Sequence, residues 1–438
     1  MAGPGRLLMD KKVLVVGFGV EGKSLTEYFL KQGAKVTIAD QKTIAELPAD
    51  EVELFSSKGV GWRSGESYLD SLVDFDLIAF SPGVKYPTYQ KIINSGVPYT
   101  TQMQLFFENT PTKNLIGVTG TKGKGTTSAL IYEILKASGK NVYLGGNIGT
   151  GVLPLLDNLK PDDWVVLELS SYQLRDLKIS PHIGVILNIT PDHMDVHSDF
   201  DDYVGSKANI IRYQNEDDYA LLNDEYEVTK KLAELTKARV EYFNKTDFAE
   251  TGYQLNIPGK HNWENAAAAM KVADLLGIDQ EIVNEILANF KGLPHRLEEV
   301  AVIDGVRYID DSFATSPSPT IVGIEAFSEP KILILGGSGK IEDFSDLVNT
   351  IMNNSTIKSI ITIGKSGVMV KQQLAEVGFS KVISGLPNIE EVVKEAKEIA
   401  ESGDVVLLSP ADASFDWFKN YTDRGEKFAE AVKKLDRV

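Results

Sequence analysis

No cysteine occurs among the 438 residues, so disulfides, thiolate nucleophiles and Cys-ligated metals are excluded. A reducing compartment is permitted by that absence. Long hydrophobic runs are missing too. No apolar stretch reaches the roughly 18–20 residues that a membrane-spanning helix needs, and the opening residues Met1–Lys12 carry no apolar signal core. Positive charge is in short supply: 45 Lys and Arg stand against 62 Asp and Glu, a net charge of −17. A chain this acidic opposes nonspecific attraction to nucleic acid or anionic membranes, which rests on a basic surface field. Any anionic ligand would need local basic pockets. The expectation is a cytoplasmic protein, a monomer, whose partners are small molecules.

What is present is ordinary for a folded enzyme. Hydrophobic residues make up 43% and charged residues 24%, far from the composition of disorder. At roughly 150 residues per domain the length suggests about three domains. From Val13 onward, short apolar runs ending in Gly, Asp or Asn alternate with stretches of helical period, a pattern that predicts parallel sheets with crossover helices. The strand candidates are Val13–Gly17, the run ending at Asp40 and the run ending at Gly83, then Leu115–Gly120, Trp164–Ser170 and Ile183–Thr190, and finally Lys331–Gly337, the IKSIIT run and Asp404–Pro410. A helix is expected from about His261. The polar, proline-bearing stretch Phe107–Lys113 reads as a linker, and the second block ends near Arg296. The predicted fold is α/β in three domains, over residues 1–107, 108–297 and 298–438. The first is Rossmann-like, the second a parallel-sheet ATPase type with a phosphate-binding loop, and the third Rossmann-like.

The strongest chemical signal is VTGTKGKGTTSALIYEIL, Val118–Leu135. A glycine-rich loop at a helix N-terminus turns backbone N–H groups toward phosphate oxygens, and Lys124 sets a cation beside them. The bland alternative, a tight strand-to-helix turn, gives two lysines and three threonines little to do. Gly120, Thr121, Lys122, Gly123, Lys124, Gly125, Thr126 and Thr127 are the candidate ATP-phosphate contacts. The loop departs from the common Walker A form: Gly117 and Gly123 are one position too far apart, and Gly125 stands where a hydroxyl should follow the lysine. Glu168 closes one apolar strand and His193 follows another, at the rim where an open α/β sheet binds ligands. A carboxylate there suits Mg²⁺, whereas a lone histidine is more often structural. In the first block Gly17, Gly19 and Gly22 form a GFGVEG fingerprint, with Asp40 eighteen residues beyond. That pattern predicts a pyrophosphate at the helix N-terminus and a ribose hydroxyl on the acid, without specifying NAD. Glu21 sets a negative charge inside the same loop.

The loop around Lys124 resembles that of the Mur ligase superfamily, which includes folylpolyglutamate synthases, and the likeness extends from Val13 to the final helix. The resemblance implies an ATP-dependent ligase that adds D-glutamate to UDP-N-acetylmuramoyl-L-alanine through an acyl phosphate, in making peptidoglycan precursors. It implies two Mg²⁺ ions held by Thr126, Glu168, His193 and Lys207. Lys207, from spacing alone a solvated surface lysine, would be carbamylated by CO₂. Lys124, His193 and Lys207 would carry the catalysis. Asn262, Asn265, Arg296 and Asp311 would join the ATP contacts; Val20, Lys42, Ser81, Gly83, Asn147 and His193 would join Gly17, Gly19, Gly22 and Asp40 on the UDP-substrate. Thr315, Lys340, Ser414, Phe415 and Tyr421 would take the amino acid. The motif at 311–315 normally has lysine where this chain has Phe313, which predicts weaker D-glutamate binding and a lower KM in Phe313→Lys. A nicotinamide dehydrogenase would explain the fingerprint but leave the Lys124 loop idle. A folylpolyglutamate synthase would lack the first Rossmann-like block, and a silent nucleotide-binding protein would not need Glu168, His193 and Lys207.

Overall fold

The structure is a computed structural model that describes residues 8–148, 151–192, 197–341 and 343–435. It contains three sheets. In the first, β1 (Lys12–Val16), β2 (Lys35–Asp40), β3 (Gly61–Ser64), β4 (Leu77–Phe80) and β5 (Tyr99–Thr101) run parallel in the order β3-β2-β1-β4-β5. The second joins β6 (Leu115–Thr119), β7 (Val142–Gly146), β8 (Trp164–Glu168), β9 (Ile183–Ile186), β10 (Tyr219–Asn223) and β11 (Arg239–Phe243). These too are parallel, in the order β11-β10-β9-β6-β8-β7. The strands are nearly continuous apolar runs because helices cover both faces: every residue of β6 and β9 is buried.

The third sheet joins β12 (Glu298–Ile303), β13 (Val306–Asp310), β14 (Lys331–Leu335), β15 (Ile357–Thr362), β16 (Val382–Ile383) and β17 (Val405–Leu408), in the order β12-β13-β17-β14-β15-β16. Here the parallel expectation needs correcting, since β12 and β13 are antiparallel. The cause is local. Asp304 (φ 52°) and Gly305 (φ 79°) both take the left-handed conformation, the requirement of a two-residue hairpin turn whose twist matches its strands.

The linker expectation also shifts. Phe107 belongs to the helix Gln102–Asn109, which Thr101 caps by accepting from the Gln104 amide. Phe106 and Phe107 are buried beneath it, and apolar burial carries the helix past the point where polar residues begin. By its contacts the chain divides into two compact units, residues 1–253 with 264–286 and residues 254–263 with 287–438. The first two sheets share one unit and the third sheet forms the other.

Candidate functional site

In an open parallel sheet, ligands sit beyond the carboxyl ends of the strands, where the strand order reverses. In the first sheet that point lies between β1 and β4. Gly17 follows β1 with φ 95°, and a Cβ on it would lie 3.0 Å from Ser81 Oγ, so the two loops meet there. Gly22 is required more strictly, because a Cβ would come within 1.8 Å of the Gly17 carbonyl oxygen. Asp40 braces this turn: Oδ2 accepts from the Phe18 amide at 2.8 Å and Oδ1 from the Lys42 amide at 2.9 Å. Gly19, Val20, Lys42 and Gly83 lie exposed around it. Burial pushes the Glu21 carboxyl up to about 7, against the opposing pull of a hydrogen bond from Gln173 Nε2 at 3.4 Å. The negative charge feared from the sequence is thereby partly neutralised near pH 7.

In the second sheet the reversal falls at β6, and the loop 120–123 leaves its end. Lys124 opens the helix Lys124–Ala137 and rests its ammonium on the Gly120 and Thr121 carbonyls, each at 3.0 Å. Gly123 has φ 85°, and a Cβ there would meet Asn265 Oδ1 at 2.1 Å. Asn265 in turn accepts from Thr127 Oγ1 at 3.2 Å, while Asn262 donates to the Pro258 carbonyl at 2.6 Å. Gly125 and Thr126 are buried at the helix start, and Lys122 is exposed. Sequence reasoning missed Asn188. Its carbonyl accepts the Thr121 amide at 2.7 Å, its Oδ1 accepts the Lys122 amide at 2.9 Å, and its Nδ2 donates to the Lys122 carbonyl at 3.2 Å. The residue lies in the NIT run beyond β9, but nothing in its spacing marks it.

Glu168 ends β8, the neighbour of β6, and is buried. Asn147 Nδ2 donates to its Oε1 at 3.0 Å, so a residue expected on the UDP-substrate lies against one expected on the metal. Lys207, read from spacing alone as a surface group, is 1% exposed. Its Nζ lies 2.8 Å from the Gly120 carbonyl and 4.7 Å from the centroid of the Tyr203 ring. Burial first, then the nearby Lys124 charge, hold this amine well below the ordinary lysine range. The Tyr203 hydroxyl bonds Thr121 Oγ1 at 3.1 Å, tying the helix Phe200–Arg212 to the phosphate loop. A chain from Ser171 Oγ through His197 to Asp202, at 3.0 and 3.1 Å, stands behind Tyr203. With Ser171 buried, the arrangement is a brace and not a nucleophile. His193 lies outside the described residues. Glu168 and Thr126 offer oxygen donors of the kind Mg²⁺ prefers, whereas Lys207 as it stands offers an amine.

The third sheet gathers its functional groups at the carboxyl ends of the adjacent strands β13, β17 and β14. Arg424 is fully buried and missed as an individual residue by the sequence reading. Nε and Nη2 donate to the Ser312 hydroxyl and carbonyl, and Nη1 to the Asp412 carbonyl, at 2.9 to 3.0 Å. Ser312 Oγ donates to the Tyr421 carbonyl, and the Gly339 amide donates to Asp412 Oδ2 at 2.8 Å. The loops bearing Thr315, Lys340, Ser414 and Tyr421 are thus laced together. Lys340 and Thr315 are exposed, Ser414 is buried, and Phe415 projects into solvent at 70% exposure. Asp311 is buried, accepting from Ser409 Oγ at 2.6 Å, and burial pushes its carboxyl up to about 7. His295, Glu298 and Asp310 lie close enough to suggest a metal. His295 Nδ1, however, is bound to Asp310 Oδ2 at 2.7 Å, and the pair raises the imidazole pKa. Glu298 Oε2 accepts the His295 amide at 2.8 Å, so these groups are committed to one another.

Three family models match the chain: "Mur ligase MurD-like, N-terminal domain" over 11–100, "Mur ligase middle domain" over 118–273, and "Mur ligase, glutamate ligase domain" over 295–412. A UDP-N-acetylmuramoylalanine–D-glutamate ligase of Acetivibrio thermocellus is 36% identical, covering 98% of this chain and 97% of the relative. One of Clostridium tetani is also 36% identical, covering 98% of each. Among solved structures, the UDP-N-acetylmuramate-alanine ligase MurC of Thermotoga maritima superposes with a TM-score of 0.59 at 19% identity, covering 97% of this chain and 100% of that one. The MurF ligase of the same organism, solved with ADP, gives 0.59 at 19%, covering 99% and 96%. Near-complete coverage at 36% identity, with matching models along the chain, places this protein in the Mur ligase family.

Proposed function

We propose that the protein is an ATP-dependent ligase that joins D-glutamate to UDP-N-acetylmuramoyl-L-alanine in the supply of peptidoglycan precursors, acting in the cytoplasm as a monomer. The observation that carries this reading is the grouping of the Lys124 loop, Glu168 and the buried amine of Lys207 at one rim of the second sheet. The relatives at 36% identity supply the substrate names. Residues 1–107 would hold the UDP-sugar, 108–297 the ATP and 298–438 the amino acid.

Bonding balances in two steps. A carboxylate oxygen of the UDP-substrate attacks the γ-phosphorus, ADP departs, and an acyl phosphate forms. The amine of the amino acid then attacks the acyl carbon, loses a proton, and expels inorganic phosphate. In the first step Lys124 would exchange its loop-carbonyl contacts for γ-phosphate oxygens, and the amides of 123–126 at the helix start would face the remaining phosphates, those of Thr121 and Lys122 being held by Asn188. Thr126, Glu168, His193 and carbamylated Lys207 would hold two Mg²⁺ ions, which supply neutralising charge to the transferring group. A lysine held neutral by burial is the form that captures CO₂, losing a proton to become an anionic oxygen donor. Asn265, Asn262, Arg296 and Asp311 would contact ATP. Gly17, Gly19, Val20, Gly22, Asp40, Lys42, Ser81, Gly83, Asn147 and His193 would receive the UDP-substrate. Thr315, Lys340, Ser414, Phe415 and Tyr421 would receive the amino acid. Holding two anions in reacting geometry supplies up to roughly 7–11 kcal/mol of the barrier reduction.

The acyl phosphate is open to direct capture. With ATP, UDP-N-acetylmuramoyl-L-alanine and hydroxylamine, and no amino acid, the corresponding hydroxamate is expected in amounts matching ADP. ADP formation without hydroxamate would contradict the mechanism.

A further inference from the structure

The amino-acid site of the functional reading holds one lysine, Lys340, for an acceptor that carries two carboxylates. Leaving the second carboxylate unpaired as it is desolvated is costly. A second cation stands one strand further along the sheet. Lys365 is the second residue of the helix Gly364–Glu376, which leaves the carboxyl end of β15. β14, which leads into Lys340, is the adjacent parallel strand, so the two loops emerge side by side. A Cβ on Gly339 would lie 3.4 Å from the Lys365 Cβ, which sets Lys365 against the residue preceding Lys340.

These loops are fixed to one another and to the loop after β17. The Ser366 amide donates to the Gly337 carbonyl at 3.0 Å, and Ser366 Oγ accepts from the Gly337 amide at 2.8 Å. The Ser338 amide donates to the carbonyl of Ala413, beside Ser414, at 2.8 Å. Gly364 is left-handed at φ 64°, and a Cβ there would fall 2.2 Å from Asp416 Oδ2, so the close approach of that acid requires glycine. The acids here are already engaged. Asp416 accepts the Lys365 amide at 3.1 Å and the Trp417 amide at 3.0 Å, while Asp412 accepts the Gly339 and Ala413 amides. Both also act on the buried Arg424 guanidinium. Among the described residues neither the Lys340 nor the Lys365 ammonium forms an ion pair, and both side chains are exposed. Two like charges gathered on restrained loops gain from an anion between them.

We infer that Lys365 is a binding residue for the acceptor, pairing with one carboxylate of a dicarboxylic amino acid while Lys340 pairs with the other. This inference rests on the ligase reading above. It places the second cation on the β15 side of Lys340, whereas a lysine at the position of Phe313 would stand on the β13 side, in the strand order β13-β17-β14-β15. The deficit expected from Phe313 is thereby relieved, and Arg296 stays with ATP.

The test is steady-state kinetics, each substrate varied with the others saturating, in the wild type and in Lys365→Met, Lys365→Arg, Lys365→Glu and Lys371→Met. Lys371 is exposed on the same helix and donates to Ser384 Oγ at 2.7 Å, so its variant controls for a general loss of positive field. Lys365→Met is expected to raise the D-glutamate KM about tenfold, as for one lost charge-assisted contact, with kcat and the other KM values within about twofold. Lys365→Glu should raise it further, and Lys365→Arg and Lys371→Met should stay near the wild type. A Lys365→Met enzyme unchanged toward D-glutamate, or changed chiefly toward ATP or the UDP-substrate, overturns the inference. So does a Lys365→Arg enzyme as impaired as Lys365→Met, or a Lys371→Met enzyme that matches it. Wild-type enzyme that ligates no dicarboxylic amino acid overturns the functional reading and this inference with it, whereas an active wild type with an indifferent Lys365→Met overturns the inference alone.

Discussion

Single residues carry the sharpest consequences, because burial sets their charge state. Asp311 titrates at about 7 in the fold against an ordinary 3.8, with burial as the main cause. Its folded form binds a proton more tightly than the unfolded chain does. The stability it contributes is therefore full below its ordinary pKa and is lost as pH rises from 3.8 to about 7. In ligand-free protein, Asp311→Asn is expected to flatten the fall in Tm over that interval, and a variant whose pH profile parallels the wild type would refute the assignment. Lys124 is a cleaner case, since its ammonium rests on two loop carbonyls and supports no core. Lys124→Ala should lose turnover by a factor of about a hundred or more, as for a lost transition-state charge contact, with a Tm close to the wild type. Turnover near the wild-type rate would remove Lys124 from the chemistry. Lys207 shows what sequence cannot supply. Spacing reads it as a surface lysine, and only the packing of the helix Phe200–Arg212 on the second sheet buries its amine beside Gly120.

Elements were legible in the sequence where a strand runs straight into a functional loop. Apolar runs such as Val13–Gly17, Trp164–Ser170 and Lys331–Gly337 correspond to strands whose carboxyl ends lead into candidate site residues. Gly17 and Gly22 were legible too, the first for its left-handed φ of 95° and the second because no larger residue fits there. Gly22→Ala would drive a Cβ to 1.8 Å from the Gly17 oxygen. The helix start must then move, and the KM for the UDP-substrate is expected to rise at least tenfold, with a loss of about 1–3 kcal/mol in stability. An unchanged KM would show that the fingerprint loop does not contact that substrate. Short strands such as β3, β5 and β16 escaped because two to four residues give no period to count. The β12–β13 hairpin was announced by Asp304-Gly305 yet lost within an otherwise parallel pattern. The braces Asn188, Tyr203, His197 and Arg424 were illegible for a different reason. Asn188, Tyr203 and Arg424 act through partners 66 to 112 residues away in sequence and His197 through Ser171, 26 residues away, and their role exists only once the sheets have formed.

At the scale of the whole chain, each of the three sheets leads into loops at the carboxyl ends of its strands, and the proposed function reads these in order as a nucleotide-sugar site, a phosphate site and an amino-acid site. The acidic balance of −17 is consistent with small anionic substrates being met by a few placed cations, Lys124, Lys340 and Arg296, and not by a general basic surface. The claim that unites the three clusters is ordered ligation with D-glutamate as the acceptor. Its most direct measurement is inorganic phosphate release from ATP in the presence of UDP-N-acetylmuramoyl-L-alanine, with D-glutamate, L-glutamate, L-lysine and meso-diaminopimelate supplied in parallel. The account predicts sustained release with D-glutamate alone, matched mole for mole by the amide product; release with another of these amino acids and none with D-glutamate would contradict it.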